Sequence, residues 1–446
     1  MTVARNLVVF FTDQQRWDSC GCYGNPLGLT PRLDAMAARG TRFEHAFTVQ
    51  PVCAPARACL QTGLYATRHG VWRNAIPLDP ALPTLARAFR AAGGFAGYIG
   101  KWHLGDSACH GQTLGDQDPV PPRLRGGYDD HWLAADVLEF CSHPYRLRLF
   151  DGDGKIVERP GYRVDAQTDL VLEALEDRAH HPDRPFLLFV SYLEPHFQND
   201  LDLFVGPRGE AEALARKGWM PPDLAALQGS AALHLPGYLS CVASLDRNLG
   251  RVLDQLAKTG MDHDTAVLFT SDHGCHFKTR NGEYKRSCHE SSIRIPAVMQ
   301  GPGFDGGGKV DEMVTLLDLH ASLLEATGLP LLPGCDGLAT QRLVEGRRDG
   351  WPDDVFVQIS ESQVGRAIRT RRWKYSVTAP GVKGWDVPAS AGYVDECLYD
   401  LDRDPAELEN LVGRPEFRAV RDDLAARLLR RMRGAGEPAP ALSFTR

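Results

Sequence analysis

The run PVCAPARACLQTG, from Pro51 to Gly63, sets Cys53, Pro55 and Arg57 at the spacing C-x-P-x-R. The spacing predicts a short helix that starts at Cys53 and stops at Gly63. Cys53 then meets unpaired N–H groups and the positive end of the helix dipole, which favour negative charge. Pro55 fits the first turn, where its missing N–H removes no bond. Arg57 lies one turn on, so its guanidinium can reach back over the same place. Read alone, the run is a buried cysteine beside a surface arginine. Two further stretches change that reading. Asp13 closes the apolar run Leu7–Thr12, and Asp272-His273 follow the apolar run Ala266–Phe269. Each run predicts a buried strand that delivers polar groups at its carboxyl edge, where open α/β sheets bind ligands. Singly, such an Asp is a turn former or a cap. Two carboxylates and an imidazole beside Cys53 instead suit a divalent metal, a hard or borderline cation such as Ca²⁺, Mg²⁺ or Mn²⁺.

Other polar residues cluster at similar places. Gly100-Lys101-Trp102-His103-Leu104-Gly105 follows the apolar run Phe95–Ile99, and alternation predicts Lys101 and His103 on one side with Trp102 opposite as an anchor. His196 stands just past the apolar run Phe186–Tyr192, and Lys285 lies in Glu283-Tyr284-Lys285-Arg286. Asn74, in Trp72-Arg73-Asn74, is a neutral donor or a loop cap. His289 and Glu290 read as a cap or a core hydrogen bond, and His180-His181 as solvated surface. The stretch Gly301–Gly306 fits G-x-G-x-x-G, yet Gly307 and Gly308 continue it where a helix should begin, so it reads as a loop. There is no P-loop and no G-x-S-x-G elbow.

The elements that must position these groups alternate. Thr30-Pro31 opens a helix, with Thr30 as its cap and Gly40 as its stop. A helix follows at Leu82–Ala92, another at Gln167–Arg178, and an amphipathic one at residues 238–258 with Val242, Leu245, Leu249, Val252, Leu253 and Leu256 on one face. Alternation with the apolar strands predicts an α/β fold, a large, mainly parallel sheet flanked by helices. Residues 106–165 and 199–229 read as excursions over the active-site face. After Gly334 the pattern changes to short strands at Val355–Ile359, Ala367–Arg369, Lys374–Val377 and Cys397–Tyr399, closed by a helix with Leu424, Leu428 and Leu429. The expected domains are 1–334, catalytic, and 335–446, small and α+β.

The chain has 446 residues, 43% hydrophobic and 24% charged, enough for a large core. A net charge of −7 without a basic domain argues against nucleic acid as a partner. The apolar run Leu7–Phe11 is too short for a signal core or a membrane span. Eleven scattered cysteines, an odd number, read as reduced thiols in a cytoplasm, and Cys20 and Cys22 are too close for an easy disulfide.

The Cys53 run, with Leu60-Gln61-Thr62-Gly63, resembles the signature of the type I sulfatases, in the alkaline phosphatase superfamily. The resemblance extends to GKWHLG, to the Lys285 segment before Ile293-Arg294-Ile295-Pro296, to Ser271-Asp272-His273-Gly274 and to the terminal run Leu398–Leu411. It implies an alkaline-phosphatase-like fold and oxidation of Cys53 to formylglycine (3-oxoalanine) by the formylglycine-generating enzyme. It also implies a metal, Ca²⁺ first, on Asp13, the converted Cys53, Asp272 and His273. Gln14 departs from the pattern, since many sulfatases carry a second Asp there. The implied reaction is hydrolysis of a small-molecule sulfate ester. A hydroxyl of the hydrated formylglycine, near Arg57, attacks sulfur while Lys101 and Lys285 stabilise the sulfuryl oxygens. His196 or Lys285 protonates the leaving oxygen, and His103 takes the proton that releases sulfate. Asn74, Lys101, His196 and Lys285 are the expected substrate contacts. Two alternatives stay open. One is phosphonate monoester or phosphodiester hydrolysis on the same scaffold, although those relatives tend to have neutral hydroxyl residues in place of Lys101 and His103. The other is a non-catalytic metal- or anion-binding protein with unmodified Cys53. No membrane partner is expected, and a homo-oligomer is left open.

Overall fold

The computed structural model describes residues 3–106 and 118–444. Eleven strands form the large sheet: β1 Asn6–Asp13, β2 Thr41–Phe47, β3 Phe95–Lys101, β4 His131–Ala135, β5 Arg146–Phe150, β6 Ile156–Pro160, β7 Phe186–Pro195, β8 Thr265–Ser271, β9 Arg294–Ile295, β10 Ala297–Gln300 and β11 Gly308–Thr315. Their order is β11-β2-β10-β8-β1-β7-β3-β4-β5-β6, with β9 paired to β2. The middle, β8-β1-β7-β3-β4, is parallel, with Val9 opposite Phe189 on one side and Leu268 on the other. Of these, β8, β1, β7 and β3 are buried on both faces, which is why they read as apolar runs.

Strand alternation sorts β1 between two cores. Leu7, Val9 and Phe11 pack with the helices Cys53–Thr62, Leu85–Ala91 and Leu316–Ala326. Val8 and Phe10 pack with the helices Pro31–Arg39, Arg163–Ala179 and Ala231–Lys258. Asp13 shares the parity of Phe11, so it falls on the side of the Cys53 helix. That parity is the structural origin of the site.

Some expectations change in detail. Residues 106–165 are not only an excursion: β4, β5 and β6 extend the sheet, and residues 107–117 of the stretch lie outside the described residues. Their Gly, Pro and charge content hides short edge strands, of which β6 alternates between half-buried and exposed. β2 is hidden in the same way, because its TRFEHAF sequence mixes charge with apolar positions. The amphipathic helix starts at Ala231, with Pro236 inside its first turns. Thr30 flanks its helix but its side chain does not cap it; the hydroxyl accepts from the Gly21 N–H and donates to Asp34. Segment 199–229 carries two short helices, Glu210–Ala215 and Pro222–Leu227.

The small sheet runs β12 Asp354–Ile359, β13 Gly365–Thr370, β14 Trp373–Thr378, β15 Gly392–Asp400 and β16 Ala441–Ser443, in that order. The helix Arg418–Gly434 covers one face through Leu424, Leu428 and Met432. The opposite face sets Val355, Val357 and Tyr399 against Phe47, Ile293 and Met313 of the large unit. Among the described residues no helix is long and apolar enough to cross a membrane, and the described cysteines form no disulfide.

Candidate active site

The helix Cys53–Thr62 is buried along its whole length and begins with Cys53. Its start is capped from outside: Asn74 Oδ1 accepts the Ala54 N–H at 3.0 Å. It ends at Gly63, whose φ is +71° and where a Cβ would come within 2.6 Å of His320 and 2.7 Å of the Cys335 sulfur. Only glycine fits both demands. Arg57 lies back along the helix over the Phe11 ring, its guanidinium carbon 5.2 Å from the centroid. It donates to Asp13 Oδ2 at 2.9 Å, to Asp272 Oδ2 at 3.4 Å and to Ser191 Oγ at 2.7 Å.

Strand β3 turns Lys101 into the site while Trp102 buries itself against Tyr98 and Trp132 and donates to the Leu124 carbonyl at 3.0 Å. His103 returns to the site through a left-handed backbone, φ 58°. Lys285 comes from the loop after β8. Its carbonyl accepts from His276 Nε2 at 3.0 Å and Asn281 Nδ2 at 3.1 Å, which aims the ammonium to within 2.8 Å of the Cys53 sulfur.

Four donors therefore meet without competing for one backbone. Ligand atoms of Asp13, Cys53, Asp272 and His273 lie within 4.8 Å of one another, all buried. The Cys53 sulfur stands 3.4 Å from His273 Nε2 and 3.7 Å from Asp13 Oδ1. His273 gives its Nδ1–H to the Gly274 carbonyl at 3.0 Å, which fixes the tautomer and leaves the Nε2 lone pair facing the cluster. Asp272 is oriented by the N–H groups of Gln14, at 2.9 Å, and His273, at 2.8 Å.

The electrostatics follow from the packing. Burial raises the Cys53 thiol, yet Lys285, Lys101, His273 and a hydrogen bond with His103 outweigh it and hold the thiol well below its ordinary range. Burial and Cys53 likewise push Asp13 up, but Lys101, His196 and Lys285 hold it below the carboxylate range. Asp272 goes the other way: burial, then the Asp13 charge, push it up to about 6. Burial and the Lys285 charge lower His196, whose Nδ1–H goes to the Phe197 carbonyl at 2.7 Å.

These donors fit a divalent cation. Two buried carboxylates held so close that the Asp13 charge pushes Asp272 up are a site where a cation relieves repulsion. Gln14 turns its amide nitrogen to the Cys275 sulfur at 3.4 Å and leaves Oε1 buried without a hydrogen bond among the described residues, a neutral oxygen that such a cation could use.

A cavity of about 220 Å³ opens above the cluster, lined at its base by Cys53, Asn74, His103, His196 and Lys285. The ten residues singled out from the sequence thus meet at one sheet edge, but two take unexpected positions. Asn74 both caps the helix and lines the cavity. Lys101 does not line it: fully buried, it gives one N–H to Asp13 Oδ2 at 2.8 Å and one to Glu139 Oε1 at 2.9 Å. His289 and Glu290 stay outside, His289 against Tyr399 and Glu290 in an ion-pair network. His180 and His181 are exposed.

Several site residues have little or no signature in the sequence. Ser191, the partner of Arg57, has a faint one as a small polar residue within the apolar run Phe186–Tyr192. Glu139 sits on the one-turn helix Leu138–Cys141, in a stretch that reads as loop. Trp385 comes from the small unit, lines the cavity and stacks under Arg73, 4.7 Å from the ring centroid, with nothing in the sequence to mark it.

Comparison with known proteins bears on the fold and the family. The Sulfatase family profile matches residues 5–329, and that of N-sulphoglucosamine sulphohydrolase, C-terminal, matches residues 282–434. The chain is 29% identical over 452 residues to an ulvan-active sulfatase of Formosa agariphila, covering 97% of this chain and 82% of that protein. A putative sulfatase, yidJ, from Bacteroides fragilis superposes with a TM-score of 0.84 at 22% identity, over 98% of this chain and 97% of that one. A phosphonate monoester hydrolase of Agrobacterium radiobacter has the same fold, with a TM-score of 0.70 at 24% identity over 96% of each chain.

Proposed function

The chain belongs to the sulfatase family, and on that premise we propose that it hydrolyses sulfate monoesters with a nucleophile made from Cys53. One observation carries the reading: Cys53 opens a buried helix beside Asp13, Asp272 and His273, with a lysine ammonium 2.8 Å from its sulfur. The sulfur marks the place an oxygen of formylglycine would take after conversion by the formylglycine-generating enzyme. Asp13, Asp272 and His273, with Gln14 Oε1 as a further donor, would hold a divalent cation, Ca²⁺ by the family resemblance, which supplies Lewis-acid charge.

The chain's own groups do the rest. Arg57 holds Asp13 and Asp272 in place and adds positive charge behind the nucleophile. Lys285 faces a sulfuryl oxygen directly, so it carries the larger share of charge stabilisation among the side chains lining the cavity. Lys101 acts from below, fixing Asp13 and Glu139, with one N–H left to give. In the free site burial and the Lys285 charge lower the proton affinity of His196. An arriving anion raises its proton affinity and suits it to protonate the leaving oxygen. His103, hydrogen-bonded with Cys53, is placed to take the proton whose loss expels sulfate. Asn74 presents a neutral amide at the cavity wall.

The rival is a phosphonate monoester or a phosphodiester on the same scaffold, which the Agrobacterium radiobacter neighbour keeps in view. Kinetics decide between them: kcat/KM for a matched aryl sulfate, aryl phosphonate and phosphodiester sharing one leaving group. The sulfate is expected to be fastest, and a clearly faster phosphonate or diester replaces this reading with the rival. Mass spectrometry of the Cys53 peptide checks the conversion; full activity with only unmodified thiol would exclude it.

A further inference from the structure

Glu139 is an anion in a cavity whose other charged task is to hold an anion. Glu139 lines the cavity beside Cys53, His103, His196 and Lys285, and is almost wholly buried. One oxygen, Oε1, accepts from Lys101 at 2.9 Å. The other, Oε2, is buried and has no hydrogen-bond partner among the described residues. A buried carboxylate oxygen left without a donor costs more than the bond it lacks. The same ammonium reaches Asp13 at 2.8 Å, so Glu139 stands one lysine head away from the Cys53 cluster. A group that satisfies Oε2 must therefore sit close to the ester. It cannot be a sulfuryl oxygen, which would repel the carboxylate. It has to be an O–H or N–H donor.

We propose that Glu139 is a specificity-determining residue, whose Oε2 accepts a hydrogen bond from a hydroxyl or ammonium group borne next to the esterified carbon of the substrate. The inference rests on the sulfate-ester reading and names what its alcohol half must carry. A site built around a fixed acceptor rejects an analogue without the donor far more strongly than an apolar pocket rejects a missing methylene, because the buried acceptor is left unpaired. Bare alkyl or aryl sulfates are then poor substrates, and the donor-bearing ester of the same ring is a good one.

The test compares trans-2-hydroxycyclohexyl sulfate, trans-2-aminocyclohexyl sulfate and cyclohexyl sulfate on the modified, metal-loaded enzyme. At least one donor-bearing ester is expected to exceed cyclohexyl sulfate in kcat/KM by about 10²-fold or more, and which one wins assigns the donor as hydroxyl or ammonium. In Glu139→Gln the ratio is expected to collapse to within about threefold, since the amide offers a donor or a weaker acceptor in its place. A residue that only steadies Lys101 would slow all three esters alike and leave the ratio unchanged. That result overturns the proposal. So does a wild-type ratio within about threefold, which needs no variant and holds even if Glu139→Gln fails to fold. If the enzyme cleaves phosphonates rather than sulfates, the reaction assignment fails separately, and the ratio on the matching phosphonate esters decides the role of Glu139.

Discussion

Two of the buried clusters of charge among the described residues are built to opposite ends. At the junction of the two sheets, Lys374 contacts Glu407 at 2.6 Å and Glu290 at 2.9 Å, Arg369 contacts Glu290 at 3.3 Å, and Glu407 also accepts the Glu290 N–H at 2.8 Å. Two acids meet two bases, and no carboxylate oxygen of Glu290 or Glu407 is left without a partner. The Cys53 cluster holds more ions and is not closed. Asp13 and Asp272 converge on one point, Asp272 is pushed up to about 6, and Gln14 Oε1 and Glu139 Oε2 have no partner among the described residues. Buried charge alone does not mark a site. Like-charged donors held together with valences unfilled, under a cavity, do.

That contrast can be broken at its reactive centre first. Cys53→Ala should lower turnover by about 10⁴-fold or more while leaving the fold intact, because a nucleophile acts as part of a unit and its loss removes most of the chemistry. Activity assays alongside circular dichroism check this; an active, folded Cys53→Ala protein places the chemistry elsewhere. Next comes the open charge. Asp272→Asn, or exhaustive chelation of the wild type, should cost about 10³-fold in kcat/KM and release bound metal seen by elemental analysis. An enzyme that keeps its rate with no metal present removes the reason for the convergence.

The closed cluster should behave differently. Lys374→Met leaves Glu290 and Glu407 facing each other in the interior, and breaking a buried pair in this way costs about 3–5 kcal/mol. Urea unfolding is expected to record that loss, while kcat/KM per folded molecule stays within about twofold. A large fall in kcat/KM with unchanged stability would erase the distinction between the two clusters. The smallest effect concerns the support beneath the Cys53 helix. Burial holds His320 down to about 4, against the opposing bond of its Nδ1–H to the Leu60 carbonyl at 2.8 Å. A histidine with a lowered folded value contributes stability that is full above its unfolded value, about 6.5, and is lost as pH falls toward 4. The contribution is on the order of 3 kcal/mol. Unfolding free energies from pH 7.5 to 4 should therefore fall less steeply in His320→Gln than in the wild type. Equal slopes would mean that this imidazole does not titrate with folding.

Much of the site is legible in the sequence. Asp13 and Asp272 stand out because continuous apolar runs announce central parallel strands, whose carboxyl ends share one edge. The helix from Cys53 is legible from its spacing and its stop at Gly63. Lys101 is legible as a site residue, but its task is not: the sequence puts its charge at the edge and does not tell that Asp13 and Glu139 take two of its N–H bonds. The short strands β4 to β6 are hidden because charged or half-buried positions interrupt them, and a strand of five residues carries little apolar signal. Thr30 reads as a cap because local rules favour it there, whereas a neighbouring loop claims its hydroxyl.

By itself, then, the sequence determined which strands are central, which residues stand at their ends and which helix begins with a cysteine. All of these depend on local periodicity and on interactions within a few residues. Tertiary structure alone decided that Glu139, Ser191 and Trp385 join them. Those three come from an edge excursion, the adjacent strand and a loop of the second sheet, between β14 and β15. They meet the cluster only through contacts across dozens to hundreds of residues, set by packing geometry that no local pattern encodes.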